Sequence, residues 1–115
     1  MRIVLCGQTF PPSRDILAPL LPNDDVMAVS TPQVAEAAVS ADVLIPMMTR
    51  VDVVLIRSTA ARLIQQWGAG LEGVDIDAAS ARGIYVCNVP SDETPNAEST
   101  AEHAVLLMLA CARRP

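Results

Sequence analysis

Short apolar runs of strand length alternate along the chain with polar segments in which apolar residues recur at helical spacing. This alternation predicts five strands, each followed by a helix. The strands are predicted at residues 2–6, 25–29, 43–45, 62–66 and 84–89, and the helices at 11–21, 31–40, 51–58, 75–82 and from Thr94 or Asn96 to Arg114.

Local signals mark several of the helix ends. Ser13 is expected to cap the first helix, with Pro22 just beyond its end. Thr31 is expected to cap the second helix, because Pro32 suits the first helical position. Gly83 is expected to close the fourth helix after about two turns.

Strands that alternate with helices favour an α/β fold, in which right-handed crossovers build a parallel sheet with helices on both faces. For five strands the common doubly wound order is 2-1-3-4-5, the flavodoxin-like arrangement. Residues 1–93 are expected to form this domain, and residues 94–115 a long helix that leaves it. The apolar run at 104–112 gives this helix no polar side, which is typical of a helix buried all round.

Length and composition restrict the class of protein. The 115 residues suffice for one domain with a core, and 51% apolar residues exclude a disordered chain. The longest apolar run is far shorter than the ~20 residues of a membrane span. A net charge of −5 and the lack of lysine argue against nucleic-acid or membrane partners. No signal peptide is visible, so a cytoplasmic location is expected.

The cysteines are odd in number and far apart. Cys6, Cys87 and Cys111 each lie within an apolar run, which is typical of buried free thiols in a reduced protein. With one histidine and no C-x-x-C pair, no metal site is expected.

Residues 68–73, GAGLEG, match the dinucleotide-binding pattern G-x-G-x-x-G letter for letter. However, the helix that follows is too short, because Gly83 ends it. Glu72, Asp75 and Asp77 would also crowd an incoming pyrophosphate with negative charge. The motif follows the fourth strand rather than the first, and no acidic residue ends the next strand. We therefore expect no dinucleotide on this loop.

A carboxylate is a better ligand for the same loop. In a 2-1-3-4-5 sheet, ligands bind beyond the carboxyl ends of the strands, where residues 7–10, 46–50 and 67–71 are expected to meet. Gly68 and Gly70 lack side chains, so the amides around Ala69 can approach a ligand closely and form a nest for one small carboxylate. The residues leave open the alternative that these glycines only turn the chain.

Two linked motifs in this sequence are more specific than the glycines. The stretch GAGLEGVDIDAASARGIYVCNVP is followed by NAESTAEH, and ADVLIPMMTRV precedes both. In this order they resemble the D-isomer-specific 2-hydroxyacid dehydrogenases, the family that includes phosphoglycerate dehydrogenase. The resemblance is strong over residues 63–115 and only a general pattern before Asp42.

The resemblance implies roles for particular residues. In that family the loop matching residues 67–71 holds the carboxylate of a small 2-keto or 2-hydroxy acid on backbone amides, mainly those matching Ala69 and Gly70. Met47 and Met48 are expected to pack, although they could also form an apolar pocket wall. The residues assigned to substrate binding are Gly68, Ala69, Gly70, Leu71, Asn96 and Arg50, and Thr100 is assigned to the cofactor side.

The resemblance also implies that the chemistry needs more than these residues. Intact members continue into an NAD-binding Rossmann domain that supplies an arginine, an acid and a histidine for the reduction of a 2-keto acid by NADH. Arg113 and Arg114 only end the last helix, and His103 belongs to its motif with a packing role. The resemblance therefore implies a truncated chain, in which residues 1–93 form an incomplete substrate-binding domain and residues 94–115 an interdomain helix that leads to an absent NAD-binding domain. We expect two or three of the apolar side chains at 105–109 to face that missing partner. The chain is expected to bind no NAD, to be inactive alone and to self-associate through its last helix.

The residues exclude one other class of protein, and the resemblance leaves a second one open. A receiver domain needs an acidic pair after the first strand, an aspartate after the third and a lysine after the fifth; Gly7, Gln8 and Pro46 occupy the first two places and there is no lysine. A non-catalytic NAD(H)-sensing corepressor with the same fold remains an alternative, because the residues that distinguish it from an enzyme lie outside these motifs.

Overall fold

Five parallel strands form one sheet in the computed structural model of the chain, which describes residues 1–7 and 11–113. The strands are β1 (Arg2–Cys6), β2 (Asp25–Val29), β3 (Val43–Pro46), β4 (Leu63–Gln65) and β5 (Tyr85–Cys87). The α-helices are α1 (Pro11–Leu17), α2 (Val34–Ala38), α3 (Val53–Ser58), α4 (Ile76–Ala81) and α5 (Asn96–Arg113), and 3-10 turns lie at Ala18–Leu20, Thr31–Gln33 and Ser91–Glu93.

The predicted strand order is confirmed. The sheet runs β2-β1-β3-β4-β5, and every neighbouring pair is parallel. In the centre Val4 pairs with Leu44, which pairs with Ile64 on the other side. All three are completely buried, as expected for strands that are covered by helices.

The core lies on both faces of the sheet, because successive side chains of a strand point to opposite sides. One face packs Val4, Leu44 and Ile64 under α2, α3 and α4. The other face packs Ile3, Leu5, Val26 and Ile45 under α1 and the turn that follows it. Helices therefore cover both faces, as predicted.

The caps that were predicted for the first two helices are wrong. Ser13 lies inside α1, which already begins at Pro11. The second helical segment is capped by Ser30 instead of Thr31. The reason is local: the Gln33 side chain reaches back, and its Oε1 accepts from the Ser30 amide at 3.1 Å and from the Ser30 hydroxyl at 2.7 Å.

The prediction of three buried thiols is wrong for two of them. Cys6 is buried, and its burial raises the pKa of the thiol to about 11. Cys87 is exposed because it lies on the edge strand β5, on the face that also carries Tyr85. Cys111 is exposed because α5 does not pack on the sheet.

Helix α5 projects away from the domain. None of its residues is buried, although the sequence favoured a helix buried all round. The radius of gyration is 16.7 Å, against about 13 Å for a compact domain of similar size. No helix in the described ranges combines the length and apolar character needed to cross a membrane. The helix is described to Arg113; its predicted end at Arg114 lies outside the described residues.

We expect Asp75→Ala to lower the free energy of unfolding by about 1 kcal/mol, because its carboxylate caps α4. The Asp75 Oδ1 accepts from the Ala78 amide at 3.0 Å. Asp77→Ala is the matched control, since Asp77 lies in the same first turn without a capping role. Urea unfolding measures the free energy of unfolding of both variants. Equal losses would show that the negative charge in the first turn, rather than the capping hydrogen bond, stabilises α4.

Candidate functional site

A cleft of about 730 Å³ opens at the carboxyl ends of β3, β4 and β5. Parallel sheets of this order bind ligands at this edge, which the sequence also indicated. Leu17 of α1 lies on one side of the cleft, and the connection from β5 into α5 lies on another. The lining residues are Leu17, Ile45, Met47, Gln65, Gln66, Trp67, Gly68, Ala69, Val89, Ser91, Thr94 and Asn96.

The loop after β4 has its carbonyl groups bound by the neighbouring segment. Val89 N donates to the Gly68 carbonyl at 2.9 Å, and Asn88 Nδ2 donates to the Ala69 carbonyl at 2.8 Å. Gly68 has φ of +142°, a conformation in which a side chain would be strained. Because the carbonyls point toward residues 88 and 89, the opposite side of the peptides carries the amides.

The amides of Ala69 and Gly70 have no hydrogen-bond acceptor among the described residues. Both residues are exposed, so these N–H groups can bind a ligand or water. Adjacent free amides suit a carboxylate, which accepts through two oxygens.

A buried glutamine holds the floor of the cleft together. Gln66 is 8% exposed, and its Nε2 donates to the Met47 carbonyl at 2.9 Å. Its own amide donates to the Cys87 carbonyl at 2.8 Å. Gln66 therefore links the ends of β3, β4 and β5. This role of Gln66 was not predicted from the sequence, although a polar residue that directly follows a buried strand is a signal for it.

The predicted site residues fall into two groups. Gly68, Ala69 and Asn96 line the cleft. Gly70 and Leu71 belong to the same loop but lie outside the lining. Of the three segments expected to meet here, 46–50 and 67–71 contribute lining residues, whereas residues 8–10 lie outside the described residues.

Two further candidates lie away from the cleft. Arg50 is exposed and is not part of the lining. The Thr100 hydroxyl is also exposed and donates to the Asn96 carbonyl at 2.7 Å, a bond within α5. Their assigned roles remain predictions.

The two methionines separate in the structure. Met47 packs against the core under α1 and also lines the cleft. Met48 is 87% exposed, so the expectation that it packs is wrong. Both residues lie in the bend that follows β3, and only Met47 lines the cleft.

The glycine loop does not fit a dinucleotide. Helix α4 has only six residues, and the Asp75 carboxylate already caps it. A carbon placed at the Cβ position of Gly70 would lie 2.5 Å from Glu72 Oε2, so a carboxylate occupies the space beside this glycine. The described residues also contain no group of side chains that could hold a metal ion.

The histidine lies apart from the cleft. His103 is exposed on α5, about two turns after Asn96, and is not among the lining residues. The described part of the cleft therefore contains no imidazole that could transfer a proton to a bound acid.

Comparisons with known proteins agree with this fold. The family model of the D-isomer specific 2-hydroxyacid dehydrogenase catalytic domain matches residues 12–111. D-3-phosphoglycerate dehydrogenase of Mycobacterium bovis is 34% identical over 103 residues, which are 90% of this chain and 16% of that protein. The chain therefore spans about one sixth of the length of this relative.

Solved structures show the same architecture. The NAD+-bound 3-phosphoglycerate dehydrogenase of Entamoeba histolytica superposes with a TM-score of 0.82 at 23% identity, over 96% of this chain and 38% of that one. The pyruvate reductase of Chlamydomonas reinhardtii superposes with a TM-score of 0.76 at 29% identity, over 96% of this chain and 34% of that one.

Proposed function

Because this chain belongs to the D-isomer specific 2-hydroxyacid dehydrogenase family, we propose that it forms the substrate-binding portion of an NAD-dependent oxidoreductase. The enzyme would interconvert small 2-keto and 2-hydroxy acids. The 115 residues hold the substrate by its carboxylate, and Thr100 on α5 is the residue of this chain that is assigned to the cofactor side.

The observation that carries this proposal is the pair of free amides at Ala69 and Gly70 beside the cleft. Their loop is held in place by the hydrogen bonds from Asn88 and Val89, so the donors are oriented before the substrate binds. A preorganised pair of donors fixes the carboxylate and thereby the direction of the rest of the substrate.

Neighbouring residues have supporting roles in this proposal. Gly68 supplies the backbone conformation of the loop, and Leu71 anchors its far end, where the Leu71 carbonyl accepts from the Val74 amide at 3.0 Å. Asn96 contacts the substrate across the cleft. We give Arg50 no direct contact with the carboxylate, since its side chain is exposed outside the lining.

We expect oxalate to bind this chain with a Kd in the millimolar range. A hydrogen bond to a charged group contributes about 1.5–3 kcal/mol. Two of them, without a cationic side chain, correspond to a binding free energy of about −4 kcal/mol, or roughly 1 mM. In an NMR titration, the amide shifts should concentrate at residues 68–71 and near Asn96.

Two glycine variants of the loop serve as a matched pair. Gly68→Ala should strain the backbone by about 1–3 kcal/mol, because φ is +142°, and should weaken oxalate binding. Gly73→Ala should leave binding unchanged, since a Cβ there meets open space and the backbone is not in the left-handed region. Shifts spread evenly over the chain, or equal effects of the two variants, would leave the glycines with a structural role only.

A further inference from the structure

Among the residues that the structure describes, the side chains that line the cleft carry no charge. The apolar ones form a patch that joins α1 with the ends of β3, β4 and β5. The remaining lining side chains are neutral amides and hydroxyls. The apolar patch consists of Leu17, Ile45, Met47, Trp67 and Val89.

Arginines in the described ranges are engaged elsewhere or lie outside this cleft. Arg2 pairs with Asp25 at 3.1 Å and donates to Ser40. Arg14 pairs with Asp15 and donates to a backbone carbonyl of β2. Arg82 donates to carbonyls at the end of α3. None of them lines the cleft.

The neutral amides of the cleft floor are also engaged. Gln65 Nε2 donates to the Gln66 carbonyl at 3.2 Å, and Gln66 Nε2 donates to the Met47 carbonyl at 2.9 Å. A second anionic group on a substrate would therefore lose its hydration against Leu17, Ile45 and Met47 without gaining a cation.

Building on the proposed function, we infer that the substrate is a 2-keto or 2-hydroxy acid whose remaining group is uncharged and apolar. The carboxylate binds the Ala69 and Gly70 amides, and the apolar group packs on the patch around Met47. The volume of about 730 Å³ leaves room for a branched alkyl chain. An acid that carries a phosphate or a second carboxylate at the end that would lie on this patch does not match the described lining.

Binding of four acids to the 115-residue chain tests the inference: pyruvate, 4-methyl-2-oxopentanoate, phosphohydroxypyruvate and 2-oxoglutarate. We expect 4-methyl-2-oxopentanoate to bind roughly tenfold more tightly than pyruvate, because its extra methyl and methylene groups are partly buried. The two acids with a second anionic group, phosphohydroxypyruvate and 2-oxoglutarate, should bind no more tightly than pyruvate. NMR titrations followed at Ala69 and Gly70 give the affinities.

A matched pair of methionine variants shows whether the patch determines this preference. Met47→Lys places a cation in the cleft and should reverse it, with phosphohydroxypyruvate gaining about tenfold from one charge-assisted hydrogen bond. Met48→Lys adds the same charge outside the cleft and should leave the preference unchanged, since Met48 is 87% exposed. Val89→Lys is the second cleft variant in case Met47→Lys fails to fold, because Val89 is already 41% exposed.

The outcomes separate this inference from the proposed function. If none of the four acids shifts the Ala69 and Gly70 amides, the proposed carboxylate site is wrong, and the inference falls with it. A different result is that pyruvate shifts these amides while phosphohydroxypyruvate or 2-oxoglutarate binds as tightly as 4-methyl-2-oxopentanoate. In that case the carboxylate site stands and the apolar preference is overturned. Equal effects of Met47→Lys and Met48→Lys would likewise overturn it.

Discussion

This chain is expected to self-associate at micromolar concentration through α5. The helix has 18 residues, about 27 Å in length, and none of them is buried. Five consecutive large apolar side chains on it are between 51% and 62% exposed, where the sequence indicated that only two or three would face a missing partner. They are Val105, Leu106, Leu107, Met108 and Leu109.

The physical reason is the free energy of exposed apolar surface. Complete burial of such a side chain contributes about 1.5–3 kcal/mol, and roughly half of that remains available here because each is about half exposed. A second copy presents the same surface, so both helices contribute to a symmetric contact. We therefore propose a dimer in which the α5 helices pack against each other.

Sedimentation velocity tests the dimer, with a double substitution on α5 as the perturbation. Leu106→Glu with Leu109→Glu places two charges on one side of the helix, three residues apart, and should give a monomer. Ile16→Glu with Leu20→Glu is the matched control, because both residues are 71% exposed but lie in and after α1. This control should still associate.

A monomeric wild-type chain would contradict the prediction. Association that persists in the α5 variant would show that the contact between the two copies lies on another surface.

We expect no NADH-dependent reduction of 2-keto acids by these 115 residues alone. The described cleft has no cationic side chain to polarise a carbonyl and no imidazole to donate a proton, since His103 lies exposed on α5. The glycine loop does not fit the dinucleotide, because the helix that follows it, α4, has only six residues and is already capped by the Asp75 carboxylate. Binding and catalysis are thus expected to be separable in this chain.

NADH absorbance with glyoxylate, pyruvate, hydroxypyruvate and phosphohydroxypyruvate checks this prediction. The rate should equal that of a heat-denatured sample. His103→Gln is the useful companion variant, because it removes the one histidine of the chain and leaves the cleft intact. Turnover in the purified wild type that disappears in His103→Gln would show that His103 acts in catalysis and would contradict the prediction.

The periodicity of apolar residues was sufficient to predict the sheet, but it placed the ends of the strands and helices less exactly. The strands were predicted within two residues of their observed limits, and their order followed from the alternation with helices. The predicted helix start at Val51 is wrong, because Val51 instead bridges to Val74 and is completely buried. This bridge joins residues that are distant in the sequence, so no local pattern predicts it.

The candidate site also has one part that the sequence predicts and one part that only the tertiary structure shows. The loop at Gly68 to Gly70 could be read from the sequence, since glycine is needed where φ is positive and where a backbone must approach a ligand. The role of Gln66 could not, because it depends on acceptors and donors from β3 and β5. Those partners are brought into reach only when the sheet has formed.

Sequence by itself determined the order of strands and helices and the glycine loop, because these depend on spacing and on backbone conformation within a few residues. The tertiary structure alone decided which methionine enters the cleft, that Cys87 is exposed, and that α5 stands apart from the sheet. It also decided the chemistry of the cleft, since Leu17 and Met47 are 30 residues apart in the chain and meet only through the packing of α1 on β3. Side-chain burial and cleft charge depend on which distant segments pack together, and no short stretch of sequence contains that information.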